Sequence, residues 1–236
     1  MKKFKILFAI LAILLLMLII ISLPIFNVET VVVNGITEID EMDILSKIYY
    51  KDKVNIFAVD SRKFEKEIEK LPYVKSASIS KKLPNQIIVD IDERECIGYM
   101  LYSNDIYVYI DGEGIVLDMQ NFTKENKPFF EGLGIAEVVK GEKLSVEDKE
   151  VYNIAITLAN AFESYDFGDK IVRIKLDNTV DLIFYIDDVK VLFGNLDNVY
   201  KKMNWIDTII NNQLDENVSG TLDLRYVDKY PIFEEN

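Results

Sequence analysis

The sequence predicts an α+β protein in three parts: an N-terminal transmembrane helix, a small unit of strand–helix–helix–strand–strand order, and a β-rich region of mostly antiparallel strands with two helices. Three observations predict this. Residues 6–28 contain no charged side chain, residues 28–95 combine strand patterns with two helix-cap signals, and residues 96–229 hold short alternating runs separated by turn residues. A chain of 236 residues is long enough for two small domains.

The apolar N-terminal run is predicted to cross a membrane. About 20 apolar residues suffice to span a bilayer as a helix, and we assign the transmembrane helix to residues 6–26. Its membrane-facing residues include Ile6, Leu14, Leu18 and Ile21. The alternative is a cleaved signal peptide, but residues 22–26, with the sequence SLPIF, contain no small-x-small cleavage site. The sequence therefore favours an uncleaved anchor.

The charge distribution predicts the topology of that anchor. The basic residues that precede it are Lys2, Lys3 and Lys5. The positive-inside rule then places residues 1–5 in the cytoplasm and everything after the helix outside. Of the 27 lysines and arginines, 24 follow the helix, against 40 acidic residues, so the exported part carries a net charge of −16. So acidic a chain does not favour nucleic-acid binding.

The single cysteine constrains how the exported part is stabilised. One cysteine cannot form an intrachain disulfide, so core packing alone must hold the fold. Cys96 begins an apolar strand pattern and is predicted to be a buried small apolar side chain.

A predicted β-hairpin lies at the centre of the small unit. Residues 74–81 and 86–93 alternate in the manner of strands, and Leu83-Pro84-Asn85 between them favours a tight turn. A two-stranded hairpin alone is marginal in water, so other elements must cover its apolar face.

The residues before the hairpin supply that cover. Residues 28–34 predict a strand, closed by Asn34-Gly35. Asp40 is predicted to cap a short helix, and Asp60 to cap a second helix that ends at Pro72. The predicted order is therefore strand, helix, helix, strand, strand.

These residues resemble the POTRA domain of the bacterial cell-division proteins FtsQ and DivIB. The resemblance rests on a V-x-V-x-G opening, an N-x-F-x-V-D step, an L-P-x-V step and an I-x-V-x-E-R ending. Tyr73 stands where the family usually has tryptophan, and Lys82-Leu83 replace bulkier residues before Pro84-Asn85. The resemblance implies that residues 27–95 form a POTRA domain.

Residues 96–229 predict the β-rich domain. A hairpin turns at residues 111–114, and an amphipathic helix over residues 146–165 starts from a capping box at Ser145. Three alternating strands follow; in the first, Val172, Ile174 and Leu176 are predicted to share one face. A second helix is expected at about residues 196–214.

The end of the chain strengthens the resemblance. Residues 220–226, GTLDLRY, are similar to the FtsQ/DivIB ending g-x-I-D-L-R-Y. We expect the last strand over residues 220–227 and a C-terminal tail over residues 230–236.

The chemistry that the sequence lacks is informative. There is no histidine, which excludes Ser-His-Asp and Cys-His catalysis and removes the commonest zinc ligand. G-x-S-x-G and S-x-x-K motifs are absent as well. The acidic residues are scattered, and Asp111-Gly112-Glu113-Gly114 fits neither a phosphate loop nor an EF-hand. We therefore expect no catalytic residue, no metal, no cofactor and no small-molecule substrate.

The last strand is the candidate binding element, because a strand with so few residues after it is expected to lie at a sheet edge, where a partner strand can add. Its candidate partner-binding residues are Leu224, Arg225, Tyr226, Val227 and Tyr230. The alternative is that the alternating residues only pack the core and that residues 230–233 form a loose tail or cover the strand themselves. The resemblance implies that FtsB/DivIC adds a strand over residues 224–227, with Tyr226 at a family interaction position.

The resemblance also implies a function. It predicts a non-catalytic scaffold or regulator in the plasma or inner membrane at the division septum, which binds FtsL and FtsB/DivIC and links them to the septal peptidoglycan synthase. The alternative is an anchored POTRA protein for envelope assembly or polypeptide transport, where several tandem POTRA units would be expected. An envelope hydrolase is disfavoured, since histidine and nucleophile motifs are absent.

Overall fold

The computed structural model describes residues 2–48, 54–103, 105–123, 127–162, 164–212, 218–226 and 230–236. The chain divides into two compact units, Met1–Arg94 and Glu95–Asn236. The predicted α+β class is confirmed: an apolar N-terminal helix precedes a small α+β domain, and a β-rich domain follows.

The first unit contains three helices and three strands within the described residues. They are α1 (Lys2–Ile21), β1 (Thr30–Asn34), α2 (Glu41–Ile48), α3 (Ser61–Ile68), β2 (Val74–Lys82) and β3 (Gln86–Glu93). Short 3-10 turns at Pro24–Phe26 and Ile56–Ala58 lie between them. The sheet order is β1-β3-β2, with β1 parallel and β2 antiparallel to the central β3.

Helix α1 is long and apolar enough to cross a membrane, and its side chains from Lys3 to Ile20 are exposed in the structure. It ends at Ile21, so the prediction that the helix continues to residue 26 is wrong. Pro24 explains the difference, because proline lacks an N–H and its ring disfavours helical backbone at Leu23. Leu23 is indeed extended, with φ −61° and ψ 142°.

Helices α2 and α3 cover the β1-β3-β2 sheet, and the predicted caps hold. Asp40 accepts a hydrogen bond from the Met42 N–H at 2.9 Å, and Asp60 accepts one from the Lys63 N–H at 3.2 Å. The two helices bury their apolar side chains against alternating residues of β2 and β3. The buried core comprises Ile44, Ile48, Val59, Ile68, Val74, Ala77, Ile79, Ile87, Val89 and Ile91.

A carboxylate of β3 fixes the loop that leads into α2. The two oxygens of Glu93 accept hydrogen bonds from the N–H groups of Thr37 (2.7 Å), Glu38 (3.0 and 3.1 Å) and Ile39 (2.7 Å). Three consecutive N–H donors that converge on one carboxylate order the loop.

The second unit is built on one nine-stranded sheet. Its elements are β4 (Cys96–Ser103), β5 (Ile106–Asp111), β6 (Val116–Gln120), β7 (Phe129–Glu131), β8 (Ile135–Glu137), β9 (Ser145–Val146), α4 (Lys149–Phe162), β10 (Ile171–Lys175), β11 (Leu182–Ile186), β12 (Val189–Gly194), α5 (Val199–Asn212), β13 (Gly220–Asp223) and β14 (Ile232–Glu235). The sheet order is β14-β13-β12-β11-β10-β7-β4-β5-β6, and five of its eight pairings are antiparallel. The predicted two helices, α4 and α5, pack against one large buried cluster.

Three local predictions in this unit need correction. Ser145 does not open a helix, because Ser145 and Val146 form β9, which pairs with β8; Asp148 caps α4 instead and accepts from the Glu150 N–H at 2.8 Å. A bulge in β10 turns Val172 outward, so Ile171 rather than Val172 is buried. Cys96 is only half-buried.

A buried lysine joins α5 to the end of β12. The Lys202 ammonium has no solvent exposure and donates to the carbonyls of Phe193 and Asn195, both at 2.8 Å, and lies 4.7 Å from the centroid of the Phe193 ring. The lysine therefore satisfies two main-chain acceptors where the chain leaves the sheet.

Replacing Glu93 should loosen the loop before α2. Glu93→Gln puts an amide N–H₂ among three backbone donors, and we expect a loss of about 2 kcal/mol together with faster amide exchange at residues 37–39. Hydrogen exchange of the full chain measures this. Asp92→Asn, which removes the same charge from an exposed neighbour on β3, is the control. Equal protection in the two variants would contradict the assignment.

Replacing Lys202 should destabilise the second unit. Lys202→Met removes the donor to two carbonyls, and we expect a loss of about 2 kcal/mol. Lys201→Met is the matched control: this exposed lysine lies 4.8 Å from the Trp205 ring centroid, a contact worth about 0.5–1 kcal/mol. Denaturant unfolding followed by the fluorescence of Trp205, the only tryptophan, reports both. Indistinguishable midpoints would show that the buried lysine contributes little.

Candidate functional site

The C-terminal edge of the large sheet is the candidate site, and the structure corrects its predicted position. The strand predicted over residues 220–227 ends at Asp223 as β13, and β13 is not an edge strand. Residues 232–235, predicted as part of a tail, form β14 and pair with the outer side of β13. Of the two alternatives for the C-terminal residues, the structure shows that they cover the strand themselves.

Main-chain hydrogen bonds show which groups of β14 remain open. The Asn236 N–H donates to the Ser219 carbonyl at 3.1 Å, and the register pairs Glu235 with Gly220. Because bonded and non-bonded pairs alternate in an antiparallel ladder, Ile232 and Glu234 turn their main-chain groups toward β13. Phe233 and Glu235 turn theirs away from β13. Among the described residues, no strand pairs with this outer side of β14.

The side chains of β14 divide between the two faces of the sheet. Phe233 packs against the buried cluster, and Ile232 on the opposite face is 55% exposed. Two glutamates end the strand, and charged residues are common on natural edge strands. The sequence signal for β14 is a four-residue apolar–acidic run after Pro231, which is too short to predict a strand by itself.

The structure places the five predicted binding residues differently. Leu224 is buried, with its N–H bonded to the Leu192 carbonyl at 2.9 Å, so its side chain belongs to the core. Tyr226 is 62% exposed and Tyr230 is 92% exposed, on either side of the connection between β13 and β14. Val227 lies outside the described residues. Of the four described residues, Arg225, Tyr226 and Tyr230 thus present exposed side chains in the segment between β13 and β14.

Arg225 is held by its neighbour on the chain. Its guanidinium Nε lies 3.0 Å from Asp223 Oδ1 and Nη2 lies 2.6 Å from Oδ2, and the Arg225 N–H also donates to Oδ1 at 3.0 Å. These bonds lower the pKa of the Asp223 carboxyl and raise the pKa of the Arg225 guanidinium. The pair fixes the direction in which the chain leaves β13.

The opposite edge of the sheet is covered where β6 begins. The Val116 N–H donates to the Glu142 carbonyl at 2.9 Å, and the Gly141 N–H donates to the Val116 carbonyl at 2.8 Å. Farther along β6, Lys140 forms an ion pair with Asp118 at 2.8 Å. The β14 edge is therefore the more accessible end of the sheet.

A shallow groove of about 270 Å³ lies on the exposed face of the same sheet, and its lining residues are Tyr99, Tyr107, Thr123, Phe129, Val172 and Arg173. The rings of Tyr99 and Phe129 contact each other with centroids 5.4 Å apart, and burial raises the pKa of Tyr99. None of the six lining side chains is a carboxylate, a thiol or an imidazole.

Comparison with known protein families identifies the first unit. Residues 26–94 match the family described as POTRA domain, FtsQ-type. The strand–helix–helix–strand–strand unit is thus an FtsQ-type POTRA domain, and the resemblance of these residues is confirmed.

Curated relatives extend the similarity beyond that domain. The chain is 26% identical over 209 residues to the cell division protein DivIB of Clostridium acetobutylicum, covering 87% of this chain and 82% of that protein. It is 27% identical over 227 residues to DivIB of Bacillus subtilis, covering 95% and 81%. It is 25% identical over 193 residues to the cell division protein FtsQ of Corynebacterium glutamicum, covering 80% and 81%. The similarity to FtsQ/DivIB therefore runs through both units and supports a role in cell division.

Gly220 should control the docking of β14. A Cβ at this position would lie 2.5 Å from both the Glu234 carbonyl oxygen and the Phe233 ring. Gly220→Ala must therefore displace β14, at a cost of about 1–3 kcal/mol. Hydrogen exchange should show lost protection at Glu234 and Asn236, with Ser219→Ala as the neighbouring control. Retained protection in Gly220→Ala would contradict the described edge.

Proposed function

We propose that the protein is a non-catalytic scaffold and regulator of septal cell division, which binds FtsB/DivIC and FtsL and links them to the septal peptidoglycan synthase. The similarity to DivIB and FtsQ proteins supports the process, and the apolar helix α1 supports membrane anchoring. Lys2, Lys3 and Lys5 favour a cytoplasmic N-terminus, and the residues after α1 would then lie on the outer side of the membrane. The absence of histidine supports a binding role rather than a catalytic one.

The open edge of β14 is the observation that carries this proposal. A partner strand laid along β14 would pair with the main-chain groups of Phe233 and Glu235 and extend the sheet by one strand. Exposed Ile232 would supply an apolar side-chain contact on one face of the added strand. The partner site is thereby moved from residues 224–227, which the resemblance implies, to the strand that follows them.

Tyr226 and Tyr230 would act as side-chain anchors at one end of the added strand. Both are exposed, and tyrosines at interfaces contribute large areas at low entropic cost. Arg225 would contribute little direct contact with a partner, because Asp223 already binds its guanidinium. Its main contribution would be to hold the adjacent Tyr226 in place.

Membrane anchoring would let a modest interface suffice. Each main-chain hydrogen bond contributes about 0.5–1.5 kcal/mol net, so a short added strand alone binds weakly. Two proteins held in one membrane meet at an effective concentration that can reach the millimolar range. Strand addition by a partner with its own membrane helix would therefore be stable where a free peptide would not.

The main alternative, a POTRA domain that receives client polypeptides on its β2 edge, is opposed by the structure of that edge. The Ile79 N–H donates to Glu65 of α3 at 2.8 Å, and the Ala77 N–H donates to Glu69, the C-cap of α3, at 3.3 Å. A client strand would have to displace these carboxylates before it could pair with β2.

Photo-crosslinking in cells tests the proposal. A crosslinkable residue at Ile232 and another at Tyr226 should give one specific product with a small single-pass membrane protein of the division machinery. The same residue at exposed Lys143 is the control. Background crosslinking at both positions in dividing cells would overturn the assignment of the partner to this edge.

A backbone substitution sharpens the test. Glu235→Pro removes an outward N–H while sparing the inward-facing pairs of Ile232 and Glu234, and proline is tolerated on edge strands where the N–H faces solvent. We expect Glu235→Pro to abolish the Ile232 crosslink and Glu235→Ala to retain it. If both variants crosslink equally, the main-chain edge is not what the partner recognises.

A further inference from the structure

The side chain of Asn55 links the end of helix α1 to the POTRA domain. Asn55 donates from Nδ2 to the Ile21 carbonyl at 2.7 Å, and its Oδ1 accepts from the Phe57 N–H at 3.0 Å. One amide therefore satisfies a terminal carbonyl of α1 and also starts the 3-10 turn Ile56–Ala58. This fixes the position of Phe57 with respect to the end of the helix.

Exposed apolar side chains surround this junction. We call four of them the anchor-end patch: Leu23, Ile25, Phe57 and Leu83. Phe57 is 46% exposed although its ring lies 5.2 Å from that of Phe26, and Leu83 is 57% exposed at the turn between β2 and β3.

The sheet topology brings Leu83 to the same end of the domain as the other three. The Asn85 carbonyl accepts hydrogen bonds from the N–H groups of Glu29 (2.9 Å) and Thr30 (3.4 Å). Since β1 and β3 are parallel with Thr30 opposite Gln86, the β2–β3 turn lies beside the start of β1. The start of β1 follows α1 by only a few residues, so this turn lies at the anchor end.

The length of α1 determines where the anchor end of the POTRA domain lies relative to a bilayer. The charge-free part of α1, residues 6–21, rises about 24 Å, and the hydrocarbon core is about 30 Å thick. With Lys5 at the cytoplasmic boundary of the core, α1 therefore ends close to the outer boundary. The residues that follow, and the turns bonded to them, then lie at the interface between the core and the headgroups.

We propose that the anchor-end patch inserts into the headgroup region of the outer surface of the membrane and seats the POTRA domain there. The inference rests on the membrane anchoring proposed above. Its occupant is lipid because the patch begins at Leu23, two residues after the end of α1, and the hydroxyl of the intervening Ser22 donates back to the Leu18 carbonyl at 2.8 Å. Lys82 beside Leu83 fits the same surface, since lysines extend their charge toward headgroups over an apolar stem.

The acidic side chain near the patch, which would disfavour contact with lipid, already has a hydrogen-bond partner. Glu29, the acid that begins the approach to β1, accepts a hydrogen bond from the Asn85 side chain at 2.8 Å. Lys81 donates to the Val59 carbonyl at 2.6 Å. Seating therefore requires no unpaired carboxylate of the described residues to enter the interface at the patch itself.

A nitroxide label at residue 58 measures the depth directly. In a Cys96→Ala background, Ala58→Cys places the label next to Phe57 and leaves all four patch residues intact. The full chain is reconstituted into phosphatidylcholine–phosphatidylglycerol vesicles, and relaxation by oxygen, which concentrates in the bilayer, is compared with relaxation by a nickel chelate, which stays in water. Leu14→Cys serves as the bilayer reference, and Thr37→Cys, at the opposite end of the POTRA sheet, as the water reference.

We expect the oxygen-to-nickel ratio at residue 58 to be several-fold above that at residue 37 and below that at residue 14. Adding Phe57→Ser and Leu83→Ser should lower the ratio at residue 58 toward the water reference. Met42→Ser, which removes an exposed apolar side chain from the start of α2, should leave it unchanged.

Two unfavourable results are distinguishable. If the label at residue 14 lies deep in the bilayer and the label at residue 58 matches the water reference at residue 37, the proposed insertion of the anchor-end patch is wrong. The proposed membrane anchoring through α1 is then still supported. If the label at residue 14 is itself in water, the proposed membrane anchoring is wrong, and the proposed insertion of the patch is wrong as well.

Discussion

Main-chain hydrogen bonds at the ends of helices and at the edges of sheets constrain this structure more than any other interaction. An unpaired buried N–H or carbonyl costs as much as a lost hydrogen bond, and an open edge invites pairing with another chain. The chain meets this constraint with side chains at three places: Glu65 and Glu69 along β2, Glu93 at the loop before α2, and Asn55 at the end of α1. Lys202 does the same for two carbonyls after β12.

The proposed partner site follows from which sheet edges are covered and which edge is open. The β2 edge and the start of β6 are occupied by groups of their own unit. The outer side of β14 keeps alternate main-chain groups unpaired within the described residues, and exposed tyrosines lie next to it. A scaffold needs such a site to be specific, because a second open edge in the same sheet would compete for the same kind of partner.

Much of the fold follows from local patterns, and the rest from pairings that local patterns do not specify. The caps at Asp40 and Asp60 and the hairpin around Pro84 are local signals, and each is present in the structure. Ser145 also looks like a cap, but its pairing with Glu137 in β8 overrides that preference. The edge strand β14 also depends on a pairing that is distant in sequence: the four residues after Pro231 pair with β13, and Gly220 leaves room there for the Phe233 ring and the Glu234 carbonyl. Lys202 has the local sequence of a surface lysine, and only the fold of β12 against α5 buries it.

The accessibility of the outer side of β14 is the central claim, and residue-resolved amide exchange tests it most directly. In the free protein, Glu234 and Asn236 should exchange slowly while Phe233 and Glu235 exchange rapidly. Adding an FtsB/DivIC-type partner should slow Phe233 and Glu235 and leave the other two amides unchanged. Uniform exchange along β14 in the free protein, or no change at Phe233 and Glu235 when the partner binds, would contradict the account.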